Sequence, residues 1–137
     1  MNDVIETVRQ SLGRVLINGQ LLERFYQIFV RSHPSIAPMF ANTDMAKQKE
    51  LLKHGLLQGV LCVGGSPMGK HTLDKLQKSH GAAAMNVPVH LYPYWKRSLL
   101  RAVSETDKEF TPEIGKAWAA VAQRIVVHVS GGKAPKT

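Results

Sequence analysis

Apolar residues recur every three or four positions through almost the whole chain, and no segment keeps the two-residue rhythm of a strand. Such a chain buries one stripe per helix, so the expected fold class is all-α, a sandwich of about six to eight helices turned toward a shared interior. Val4, Val8, Leu12, Val15 and Leu16 form the first stripe, which stops at Asn18-Gly19. Leu22, Phe25, Tyr26 and Phe29 form the second, until His33-Pro34 forces an extended residue and leads into a short turn from Ser35 to Phe40. A polar corner at 41–44 then offers helix caps, and Met45, Gln48, Leu52, Gly55, Leu56 and Gly59 share the face of a helix running to about Val63.

Gly64 to Gly69 ends that helix. Thr72 can cap a shorter one with Leu73, Leu76 and His80 on one side. Val87-Pro88 is expected to open the next, whose buried side is Leu91, Trp95, Leu99, Leu100 and Val103, with Pro93 tolerated because the first turn has no internal amide bonds to lose. Thr111-Pro112 reads as a cap followed by a first-turn proline, and Ile114, Trp118, Val121, Ile125 and Val129 complete the last stripe.

Three polar residues break the apolar stripes: Tyr26, Gln48 and His80, each on a different helix. A buried polar group without a partner costs about 1–3 kcal/mol, so three of them require something inside that uses them. An inward histidine facing a phenol and an amide suggests an iron-centred pocket. Plainer readings stand beside this one. A histidine near a helix C-terminus also serves as a cap for the last carbonyls. Tyr26 also fits as a core tyrosine bonded to backbone, and Gln48 turns to solvent if its helix is rotated. His54 rivals Gln48, yet it lies off that stripe. His33, His71, His90 and His128 read as surface or packing residues.

At 137 residues and 44% hydrophobic, the chain is expected to form one domain over residues 1–130, with 131–137 as a flexible tail. The net charge of +8 favours acidic partners, among them haem propionates, a reductase, anionic lipid or nucleic acid. Nucleic acid is not expected, because the basic residues are scattered and accompany no binding motif. Cys62 is the only cysteine and the opening ten residues lack the basic and apolar blocks of a secretion signal, so a cytoplasmic location is expected. No apolar run approaches the roughly 20 residues of a membrane span. No pattern indicates an oligomeric state.

In order and separation these residues resemble bacterial single-domain globins and the haem domain of flavohaemoglobins. The resemblance rests on Phe25-Tyr26, Ser32-His33-Pro34, Phe40, Gln48, Leu51-Leu52, the stretch from Leu76 to His80, and Leu91-Tyr92. It covers roughly residues 4–129, with 14 positions from Tyr26 to Phe40 and 32 from Gln48 to His80. It implies one b-type haem (iron protoporphyrin IX) with His80 as the axial iron ligand. It also implies Tyr26 and Gln48 as hydrogen-bond donors above the iron, Leu52 lining the ligand cavity, and Phe40 packing on the haem. Tyr92 and Trp95 fall among the cofactor-contacting positions.

Neutral imidazole holds ferrous haem iron on one side and leaves the other for dioxygen, carbon monoxide or nitric oxide. Phenol and amide donors favour dioxygen over carbon monoxide, which accumulates less charge. The chain departs from flavohaemoglobins in four places. No counterpart of their flavin and nicotinamide reductase domains lies in these 137 residues, so turnover is expected to need an outside reductase. The Phe40–Gln48 connection is shorter and the His80–Tyr92 stretch longer, which weakens Tyr92 as a partner for the imidazole. Finally, no Asp or Glu follows Glu113, so the family's acidic partner for the axial imidazole is missing and weak peroxidase activity is expected. The leading expectation is reversible dioxygen binding, as carrier, store or sensor. The alternatives are nitric oxide dioxygenation with a separate reductase and, last, a cofactor-free basic interaction module.

Overall fold

The structure is a computed structural model describing residues 2–17, 19–64 and 89–129. Six α-helices and one 3₁₀ turn make up the described residues, and no strand occurs among them. Helix α1 (Asn2–Leu16) and α2 (Gln20–Ser32) are separated by Gly19, whose φ of 72° lies in the left-handed region that favours glycine. Extended His33 stops α2 ahead of Pro34, and its Nδ1 accepts from the Ser35 backbone N–H at 3.0 Å, turning the chain into the short α3 (Ile36–Met39). Asp44 caps α4 (Met45–Val63) by accepting from the Lys47 backbone N–H at 3.3 Å. The expected helix from Thr72 to His80, the stretch 65–88 that contains it and the tail 131–137 lie outside the described residues.

A 3₁₀ turn, Val89–Leu91, precedes α5 (Tyr92–Thr106). The α-helix thus begins later than the Val87-Pro88 start read from the sequence. Pro93 explains the shift. A helix begun at Pro88 would carry Pro93 in its interior, where the ring meets the preceding turn and a backbone bond is lost. Beginning at Tyr92 leaves Pro93 in the first turn, where no amide bond is needed. Thr111 caps α6 (Pro112–Val129) by accepting from the Ile114 backbone N–H at 3.2 Å.

The apolar stripes meet in one core. Helix α2 lies along α5, α1 along α6, and α6 also supports α4 and α5. Phe25, Phe29, Trp95, Leu99, Trp118 and Ile125 are all fully or almost fully buried. Rings dominate the α2–α5 side, with Phe25 stacked on Phe29 at 5.2 Å and edge-on to Trp95 at 6.0 Å. Where α4 crosses α6, Gly59 permits the approach: a Cβ there would sit 2.7 Å from Ile125 Cδ1.

One polar lock is buried in this core. Asp107, which closes α5, accepts from Ser11 Oγ at 2.6 Å and from Arg14 Nε and an Arg14 Nη at 2.7 and 2.9 Å. The same Ser11 Oγ accepts from Trp118 Nε1 at 2.8 Å, so α1, the α5–α6 corner and α6 are joined through one hydroxyl. The Arg14 guanidinium, helped by Ser11 and the Glu109 backbone N–H against the penalty of burial, holds the Asp107 carboxyl down to about 2. No described helix is long and apolar enough to cross a membrane.

Candidate functional site

Two neighbouring turns of the chain converge on Tyr26. It shares the buried face of α2 with Leu22 and Phe29, and only 6% of its surface is exposed. The turn through α3 swings Phe40 back onto it, with ring centroids 5.7 Å apart at 73°. Phe29 also meets Phe40 edge-on, with ring centroids 6.2 Å apart. One turn into α4, Gln48 is 5% exposed, and Leu52, one further turn along the same face, is 1% exposed. The structure thus brings Tyr26, Phe40 and Gln48 together on the α2, α3 and α4 side, with Leu52 next along that stripe.

The donors in this group are poorly satisfied. Tyr26 Oη donates to the Gln48 main-chain carbonyl at 3.5 Å, at the outer limit of a hydrogen bond. Gln48 Nε2 is buried and has no hydrogen-bond partner. An orphaned buried amide donor costs about 1–3 kcal/mol, which an acceptor atom brought in by a ligand would recover. Burial pushes the Tyr26 phenol up to about 12, with Gln48 pulling only partly the other way, so the hydroxyl keeps its proton and remains a donor.

The remaining candidates are placed as follows. Trp95 is 1% exposed on α5 and joins the ring cluster through Phe25, which itself lies edge-on to Tyr26 at 4.9 Å. Tyr92, one turn earlier, is 3% exposed and its phenol is pushed up by burial. Among the described residues it makes no ring contact or hydrogen bond with Tyr26, Phe40 or Gln48. His80 lies outside the described residues. His54, the rival to Gln48, points to solvent with 68% of its side chain exposed and Glu50 4.0 Å away. Gln58, almost three turns past Gln48 on α4, escaped the sequence reading: its Oε1 is a second buried atom without a partner. It sits on the flank of the apolar stripe, where a glutamine reads as solvated.

A model of the globin family matches residues 23–129. A solved structure from Pseudomonas aeruginosa PAO1, described as a protein structurally highly homologous to a human hemoglobin, is 32% identical and superposes with a TM-score of 0.84. That alignment covers 96% of this chain and 99% of the other. No curated protein sequence matches. Globins typically bind haem, and diatomic gases on it. The orphaned Gln48 amide and the protonated Tyr26 hydroxyl are two buried donors with no close acceptor among the described residues. By family model, fold and identity together, the chain belongs to the globins.

Proposed function

We propose that the chain binds one b-type haem and, on it, dioxygen reversibly, as a carrier, store or sensor, in a domain spanning residues 1–130. When bound, haem supplies a ferrous iron with a coordination position open to a diatomic gas. In this reading His80 is the axial ligand. Phe40, Leu52, Tyr92 and Trp95 give the cofactor apolar walls that exclude water. Tyr26 and Gln48 are the donors to the gas ligand. The lone Cys62 suits a reducing, cytoplasmic setting.

The observation that carries the reading is the buried, unpartnered Gln48 Nε2 beside the Tyr26 hydroxyl. A core evolved only for packing has no use for an amide N–H without an acceptor. Both donors are fixed by the scaffold before any ligand arrives, because Tyr26 is wedged between Phe25 and Phe40 and Gln48 stands in the first turns of a capped helix. Their strength toward a ligand that draws negative charge is about 1.5–3 kcal/mol per bond. Gas-exchange spectroscopy of the purified protein tests the reading. Reversible dioxygen spectra support it; a protein that takes up haem yet oxidises at once without a dioxygen complex contradicts the carrier role.

A second reading has one observation of its own. Arg24, Arg31 and Arg101 line a single surface groove between α2 and α5; Glu105 pairs with Arg24 at 2.6 Å and with Arg101 at 2.9 Å, so the face keeps a net positive charge on which an acidic reductase would dock. Nitric oxide dioxygenation, with nitrate as product, needs such a donor. Rapid nitric oxide consumption sustained by re-reduction would select it.

A further inference from the structure

The outward side of α2 carries Arg24, Gln27, Ile28 and Arg31, three or four positions apart and so on one helix face, set apart from the buried Leu22, Phe25 and Phe29. Together with Ser32 and with Arg101 of α5 they line a recess of about 200 Å³. Its charges are unevenly matched. Glu105 places one carboxylate oxygen 2.6 Å from Arg24 Nε and the other 2.9 Å from Arg101 Nε, so a single anion holds both guanidiniums across the α2–α5 seam. Among the described residues the Arg31 side chain has no ion-pair or hydrogen-bond partner. Three guanidiniums against one carboxylate leave the recess at +2.

The geometry points to this recess as a binding site for a small molecule that carries a terminal phosphate group. Such a site needs neither the haem nor the reductase of the readings above. A terminal phosphate carries about −1.5 to −2 at pH 7, which matches the uncompensated charge, and its oxygens accept the paired N–H bonds that a planar guanidinium offers. Glu105 already spans Arg24 and Arg101, so those two converge closely enough to share the oxygens of one anion. It hydrogen-bonds their Nε groups, and Arg24 also donates to Gln27 at 3.3 Å; the Nη groups of Arg101 and the whole fork of Arg31 are left for an incoming anion. An acidic protein would use only the charge of this face. A phosphate uses the fork geometry as well, and that difference is measurable.

Isothermal titration of the purified full chain with inorganic pyrophosphate, which presents two terminal phosphate groups, tests this. One anion per chain should bind saturably, and more weakly as salt is raised. Arg31 has no partner to lose, so changing it leaves the fold intact. Arg31→Gln should weaken binding about three- to tenfold, and Arg31→Lys, which keeps the charge but not the fork, by nearly as much. Lys116→Gln removes an equal charge from the exposed side of α6 and should leave binding unchanged. Absence of saturable binding overturns the site. Undiminished binding in Arg31→Lys, or equal losses in Arg31→Gln and Lys116→Gln, overturns it in favour of a diffuse basic face of the kind an acidic protein docks on. Vesicles of phosphatidylglycerol separate the source of the phosphate: a chain that binds them and not pyrophosphate meets a membrane surface, which also overturns the small-molecule site. No haem spectrum enters these measurements, so their failure leaves the reading of Tyr26 and Gln48 standing.

Discussion

Tyr26 on α2 and Gln48 on α4 face one another so that the phenol reaches only the Gln48 main-chain carbonyl, at 3.5 Å, while the Gln48 side-chain amide is left with no acceptor. Two donors lie side by side with almost nothing to donate to. Replacing Tyr26 by Phe removes one of them and leaves the surrounding rings in place. Dissociation of dioxygen should accelerate about ten- to a hundredfold, with haem content unchanged, as read by stopped-flow displacement. Carbon monoxide dissociation should move far less.

The same hydroxyl should be visible by titration. Burial pushes its pKa up to about 12, above the unfolded value near 10. Its share of stability is therefore complete below about pH 10 and is lost as pH rises toward 12, since the fold resists the charged form. A difference titration of phenolate absorbance between the protein and Tyr26→Phe should show one late step. Denaturation midpoints should fall less steeply in the variant over that alkaline range.

Asp107 behaves in the opposite sense. Its carboxyl is held down to about 2, below its value in the unfolded chain, by Arg14, Ser11 and the Glu109 backbone. The stabilisation is present above about pH 4 and is lost as pH falls toward 2. Asp107→Asn removes the buried charge that faces Arg14, leaving it the exposed Glu109 carboxylate at 3.7 Å, and should cost about 2–3 kcal/mol at neutral pH, measured by urea denaturation. The loss of stability in acid should be shallower in the variant.

What could be read in advance and what could not divides along physical lines. Val8, Leu12, Leu52, Leu56, Leu99 and Ile125 are buried as their spacing requires, because a helix has one face for the core. Asp44 and Thr111 mark helix starts because a side-chain oxygen satisfies an otherwise free amide. The lock of Ser11, Arg14, Asp107 and Trp118 could not be seen, since its hydrogen bonds span 93 to 107 positions of sequence and two of its members look like surface residues. The start of α5 was displaced because the restriction imposed by Pro93 outweighs the opening signal at Val87-Pro88. In the site, Tyr26 and Gln48 were legible as polar interruptions of apolar stripes. Gln58 was not, because it stands off that stripe and its burial depends on neighbouring elements.

Gly59 offers a test of the packing that carries α4. A methyl group there would press on Ile125 Cδ1 and Cγ1 at 2.7 and 2.9 Å. Gly59→Ala should destabilise the protein by about 1–3 kcal/mol despite its better helix propensity. The same change made together with Ile125→Ala should cost less than the two single changes added, as a thermal-unfolding double-mutant cycle would show.

The inward phenol and amide are proposed to serve an iron-bearing cofactor that His80 would hold. The most direct measurement is the absorption spectrum of the purified chain, reduced and then exposed to carbon monoxide, for the protein and for His80→Ala. The account predicts a ferrous haem spectrum that shifts with the gas in the protein and is lost or grossly altered in the variant. A chain that stays colourless when haem is supplied, or an identical spectrum in His80→Ala, would contradict it.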